Sequence, residues 1–129
     1  MSYINLINTK KGKWFKMANP NLLNATSIYG KNVTVSGDGS LNTVLTCATD
    51  KLIKIISIIV HNDDQNNGEG AIFINDKQVS GGGSLNDNPP QGGQYTLGSF
   101  YLTEGQTVKF QGDGSGIDCV ISYEEIDDA

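Results

Sequence analysis

Leu52-Ile53-Lys54-Ile55-Ile56-Ser57-Ile58-Ile59-Val60-His61 is the most apolar stretch of this chain. Isoleucine, leucine and valine occupy both alternating sets of positions, so a strand formed here would be apolar on both faces. A strand of that kind lies in the middle of a sheet that is covered by a second layer. The stretch is too short and too interrupted, by Lys54 and Ser57, to be a membrane helix of about 20 residues. It therefore predicts the central strand of a β-sheet domain.

Short alternating runs separated by turn residues lie on both sides of this strand. Strands are predicted at residues 32–36, 43–48, 71–74, 77–80, 95–102, 107–110 and 117–126. Gly37-Asp38-Gly39-Ser40 and Asn75-Asp76 are turns, and we interpret residues 112–116 as a hairpin turn. The pattern is typical of an all-β fold, an antiparallel β-sandwich or jelly roll of about seven to eight strands with an extended N-terminal arm.

Residues 1–31 differ from the rest of the chain. They mix lysines with two large aromatic side chains, show no helical or strand periodicity, and are interrupted by Asn19-Pro20-Asn21. We therefore divide the chain into a basic and aromatic arm, residues 1–31, and a β-sandwich domain, residues 32–129. Large aromatic side chains gain free energy when they pack, so the arm either binds another protein or folds back onto the domain's own sheet. The arm residues expected to bind protein are Lys10, Lys11, Lys13, Trp14, Phe15, Lys16, Leu22 and Leu23.

Charge is divided unevenly along the chain. Five lysines and no acid precede Asp38, whereas all 14 acids and four lysines lie from Asp38 onward. The chain contains no arginine, the residue that makes bidentate contacts to bases and phosphates. An acidic body also repels a phosphate backbone. These features predict that nucleic acid is not a partner.

The N terminus lacks the basic and then apolar order of a secretory signal, and no stretch has the length of a membrane span. We expect a soluble protein that is made in the cytoplasm and has no membrane partner.

Cys47 and Cys119 both fall in predicted strands, and we interpret them as buried thiols; a disulfide between them is the alternative if the compartment oxidises. His61 is the only histidine and has no evident catalytic or metal-binding partner. The acidic loops, at residues 38–39, 63–69 and 113–118, do not follow the residue order of a calcium-binding EF-hand. We therefore expect no enzymatic activity, no catalytic residues, no metal and no cofactor.

Two ends of the sequence resemble a known family. Met17-Ala18-Asn19-Pro20-Asn21-Leu22-Leu23-Asn24-Ala25-Thr26-Ser27-Ile28-Tyr29-Gly30-Lys31 is similar to the opening of small virion proteins encoded by T4-like phages of marine cyanobacteria. Leu102-Thr103-Glu104-Gly105-Gln106-Thr107 and the closing motif Ser122-Tyr123-Glu124-Glu125-Ile126 are similar as well. The resemblance spans residues 17–126. Residues 1–16 precede it, so either Met17 is the native start, or Met1 is the native start and these residues are an added anchoring arm.

The resemblance implies a virion structural protein that is made in the host cytoplasm. We expect a capsid decoration protein that binds the major capsid protein or neighbouring subunits, as a homo-oligomer. The alternative is a tail, collar or fibre module that binds a host receptor or glycan. That module would use the loops of residues 62–70 and 81–93 with an exposed Tyr95 or Tyr101.

Overall fold

The protein is described by a computed structural model that covers residues 25–63, 69–80, 89, 93–114 and 116–128. Nine strands form in these residues: β1 Ala25–Ser36, β2 Leu41–Thr46, β3 Lys51–Asn62, β4 Gly70–Ile74, β5 Lys77–Ser80, β6 Gln94–Leu97, β7 Phe100–Leu102, β8 Thr107–Gly112 and β9 Ile117–Asp128. In this part of the chain, no helix is long and apolar enough to cross a membrane.

The strands form two antiparallel sheets. Sheet A has the order β1-β9-β3-β6, with β7 also paired to β3, and sheet B has the order β2-β8-β4-β5. Because β6 and β7 pair with different parts of β3, they share one position in sheet A. The resulting eight positions follow the jelly-roll order, in which most connections cross between the sheets. The predicted all-β antiparallel sandwich or jelly roll is confirmed.

β3 occupies the central place that its sequence predicts, between β9 and the β6/β7 edge. Ile53, Ile55, Ile58 and Val60 face sheet B and are buried. The facing layer includes Phe110, and the core cluster is completed by residues of both sheets: Leu45, Cys47, Ile72, Leu102, Val108, Ile117, Cys119 and Ile121. A core drawn from both sheets holds the sandwich together by burial of apolar surface.

The division between arm and domain is corrected by the structure. The predicted boundary follows residue 31, but β1 begins at Ala25, so residues 25–31 belong to sheet A. They lack apolar alternation, which is why the sequence pattern missed them. Their strand conformation comes from pairing with β9, in a register that runs from Ala25 opposite Asp128 to Ser36 opposite Asp118. Residues 1–24 of the predicted arm lie outside the described residues.

Two local predictions are also wrong. Residues 112–116 are not a hairpin turn, because β8 lies in sheet B and β9 in sheet A. The single strand predicted at residues 95–102 is divided into β6 and β7 at Gly98 and Ser99. The division lies where β3 carries a bulge between Ile55 and Ser57. A bulge bends its strand locally, and β7 and β6 pair with β3 on either side of it.

Candidate interaction surface

Sheet A extends past sheet B at the end where β1 begins. Val33 and Val35 of β1 pack against the core, but Tyr29 and Lys31, in the same alternation, are exposed. Side chains two residues apart share a face, and β1 alternates without interruption from Ser27. Sheet B therefore does not cover this face at Tyr29 and Lys31. We call residues 25–31 of β1, 51–54 of β3 and 124–128 of β9 the projecting end.

Ion pairs join the three strands of the projecting end on this face. Lys31 Nζ donates to Glu125 Oε1 at 2.7 Å. Lys51 pairs with Asp127, whose carboxylate also accepts a hydrogen bond from Ser27 Oγ. The bond from Lys51, followed by that from Ser27, lowers the pKa of Asp127, and the carboxylate partners raise the pKa of Lys31 and Lys51. Each of these exposed ion pairs contributes little stability, but together they link β1 to β9 and β9 to β3.

The opposite face of the projecting end is apolar. Ile28, Ile126 and Leu52 lie side by side in register on β1, β9 and β3. Leu52 is 3% and Ile126 4% exposed, although neither belongs to the core cluster between the sheets. Ile28 is 59% exposed. Burial of two large side chains on the outward face means that this face of sheet A is covered there.

Two further apolar side chains continue this outward face. Tyr101 of β7 lies opposite Lys54, in the next row of the sheet, and is 48% exposed. Ile56 is the extra residue at the β3 bulge and is also exposed. The set Ile28, Leu52, Ile56, Tyr101 and Ile126 is called the outer apolar patch. Single exposed apolar side chains are ordinary, whereas a group of apolar side chains on one sheet face marks a contact surface; in this group Lys54 lies between Leu52 and Ile56.

β1 also presents an open edge. Among the described strands it pairs only with β9, and its 12 residues make it the longest edge strand; β5, at the edge of sheet B, has four. The unpaired N–H and C=O groups of such an edge can bond to another strand. Proline, a common edge protection, does not occur in β1. Tyr29, 52% exposed, lies within this edge.

The arm residues expected to bind protein all lie outside the described residues: Lys10, Lys11, Lys13, Trp14, Phe15, Lys16, Leu22 and Leu23. Their role stays a prediction. Sequence reasoning missed the open edge and the outer apolar patch. The apolar residues on both faces of β3 signalled that its outward side is covered, but the pairing of Ile28 with Ile126 depends on a contact between distant parts of the chain.

The two cysteines are free and buried, as the first interpretation expects, and no disulfide joins them. Burial raises the pKa of the Cys47 thiol to about 11 and that of Cys119 to about 12. Both thiols are therefore protonated near neutral pH, and a protonated thiol is a poor nucleophile and metal ligand. They act as small apolar side chains of the core.

Tyr95 is not the exposed ring that a glycan platform needs. Its hydroxyl donates to the Gly70 carbonyl at 2.6 Å and accepts from Ser80 Oγ at 2.9 Å. Burial raises its pKa. Tyr95 therefore joins β6 to sheet B, and of the two tyrosines expected in a glycan platform Tyr101 is the exposed one.

His61 and Asp118 are opposite each other on β3 and β9, at the far end of sheet A from the projecting end. His61 Nδ1 and Asp118 Oδ1 are buried, and neither has a hydrogen-bond partner among the described residues. Within the residues that the structure describes, no group of three or more His, Cys, Asp or Glu side chains is arranged to hold a metal ion.

In the turn between β1 and β2, the Asp38 carboxylate accepts hydrogen bonds from the Ser40 amide and the Asn42 side chain, so these bonds stabilise the turn itself.

Comparison with known proteins gives no family assignment: no family model matches the chain, and no curated protein matches its sequence. A solved chain described as belonging to Bacillus endospore appendages, a family of disulfide-linked pili, is 12% identical with a TM-score of 0.41 over 79% of this chain and 88% of that chain. Dimeric latent PorU from Porphyromonas gingivalis is 12% identical with a TM-score of 0.33 over 84% of this chain and 13% of that chain. Similarities this low assign neither a family nor a function to this chain.

Proposed function

We propose that this chain is a structural component of a phage particle, a capsid decoration protein that binds neighbouring virion proteins and catalyses no reaction. The proposed role in a phage particle is motivated by the resemblance of residues 17–31 and 122–126 to cyanophage virion proteins. The observation that carries the binding mode is the open edge of β1, 12 residues long, at a projecting end that sheet B does not cover.

Binding in this proposal occurs by strand addition. A strand of a neighbouring subunit or of the capsid protein pairs with the free edge of β1, and backbone hydrogen bonds contribute most of the attraction. The exposed Tyr29 ring contacts the neighbour beside that edge. Tyrosine is enriched among the few interface residues that dominate binding free energy, because a large rigid ring loses little entropy when it is buried.

The projecting end suits this role because it is held in place before binding. The ion pairs of Lys31 with Glu125 and of Lys51 with Asp127 join β1, β9 and β3, and the core immobilises the rest of those strands. A surface that is ordered in the free protein loses less conformational entropy on binding than a disordered one. The sandwich thus supports an interface rather than forming a reaction centre.

Particles that lack this chain can be incubated with the purified full-length protein to test the proposal. Tyr29→Lys places a charge in the interface, and we expect its affinity for such particles to fall about 30-fold, the effect of a residue worth about 2 kcal/mol. Val79→Lys is the matched control, because Val79 lies on the β5 edge of sheet B and is 51% exposed. The control should bind like the wild type.

Equal binding of both variants and the wild type would refute the β1 interface. Failure of the wild type itself to bind particles would refute the particle role. Circular dichroism of each variant verifies that the sandwich is intact, and both substituted side chains are exposed, so folding is expected to survive.

A further inference from the structure

The outward face of the projecting end is covered at Leu52 and Ile126, and the core between the two sheets does not cover it. Leu52 and Ile126 are almost fully buried, lie outside the core cluster, and point away from sheet B, since Ile53, the next residue of β3, points into the core. On an uncovered sheet, such side chains would keep a substantial exposed area. An additional segment must therefore pack on this face.

The chain itself supplies a segment at this place. Residues 1–24 join the sheet at Ala25, three residues before Ile28, and Ile28 stands in register with Ile126 and Leu52. A segment of this length reaches up to about 80 Å when extended, so it can cross the whole patch. A tether of a few residues holds a segment beside its binding face at an effective concentration of roughly millimolar. That concentration favours the chain's own segment over an unconnected one.

The composition of the segment matches the patch. Residues 1–24 contain the large apolar side chains Trp14, Phe15, Leu22 and Leu23, and four lysines without any acid. The patch offers apolar surface on four strands, and residues 25–129 carry all 14 acids against five lysines. Apolar burial and long-range attraction therefore act in the same direction.

We propose that residues 1–24 pack across the outer apolar patch of their own domain, with apolar side chains of the segment over Leu52 and Ile126. This is the second of the two interpretations of the arm, its return to the domain's own sheet. The proposal is independent of the particle role, because strand addition uses the β1 edge and Tyr29 rather than this face.

Trp14 is the only tryptophan of the chain, so its fluorescence reports the position of the segment. In the full-length protein we expect emission shifted to the blue and weak quenching by acrylamide. Ile28→Lys adds a charge that repels the lysines of the segment at an exposed position, and Leu52→Ala removes a buried contact. Both should shift Trp14 emission to the red and strengthen quenching. Leu41→Lys is the matched control: Leu41 is 46% exposed on β2 of sheet B, and emission should not change.

Dilution separates packing within one chain from packing between chains. We expect the emission to stay constant across a wide range of protein concentrations. Emission that shifts to the red on dilution would show that the patch binds the segment of a second copy, which overturns the proposal. Emission like that of free tryptophan in the wild type, or a wild-type signal in both patch variants, would overturn it as well. The measurement needs no particles, so its failure leaves the particle role unaffected.

Discussion

At the scale of single residues, a close backbone contact explains why glycine occurs at positions 37 and 112. The 37–40 and 112–116 connections both cross between the sheets and lie against each other: the Gly37 amide donates to Ile117 and the Gly39 amide to Gly112. A Cβ atom on Gly37 would lie 2.7 Å from the Gly112 backbone. The sequence pattern located both as turns, but this contact joins residues 75 positions apart, which no local pattern reveals.

Gly37→Ala is predicted to destabilise the sandwich by about 1–3 kcal/mol, the usual cost of forcing a methyl group into a filled site. Gly30→Ala, in the same part of the chain, meets nothing within 4 Å and should be neutral or slightly stabilising. Denaturant unfolding of the two variants measures the difference. Equal free energies of unfolding would show that the two connections are not packed as described.

At the scale of elements, local pattern and long-range pairing contribute differently. The β4–β5 hairpin was predicted from Asn75-Asp76, and both residues have the positive φ angles, 50° and 67°, of a two-residue hairpin turn. β3 and the inward face of β9 were also predicted, because their apolar side chains mark burial directly. Residues 25–31 of β1 were not, since ion pairs and the partner strand β9 hold them in the sheet.

The pairing of Asp127 with Lys51 predicts a pH-dependent contribution to stability. The pKa of Asp127 is lowered from its ordinary value of 3.8, so its stabilising effect is present above that pH and is lost as the pH falls through the folded-state pKa. We expect Asp127→Asn to lower the melting temperature at neutral pH and to match the wild type at low pH. Asp113→Asn, which makes the same change of formal charge outside the projecting end, is the control. A deficit of Asp127→Asn that persists at low pH would contradict the ion-pair explanation.

At the scale of the whole molecule, composition and strand spacing predicted an all-β sandwich, but they could not predict the strand order. The jelly-roll order depends on which distant strands pair, such as β1 with β9 and β2 with β8. The candidate surfaces follow from that order: β1 becomes an edge because β9 pairs with it on one side only. The residues predicted from sequence to bind protein lie between residues 10 and 23, outside the described part of the chain. The β1 edge and the outer apolar patch are therefore candidate contact surfaces in addition to those residues.

The proposed role as a particle component is tested most directly by a reconstruction of the purified phage particle, at a resolution that separates individual subunits. We predict sandwich-shaped density for this chain on the capsid surface, with the free edge of β1 and Tyr29 against a strand of a neighbouring protein. A particle that lacks this density, or that holds the sandwich with the β1 edge facing solvent, would contradict the account.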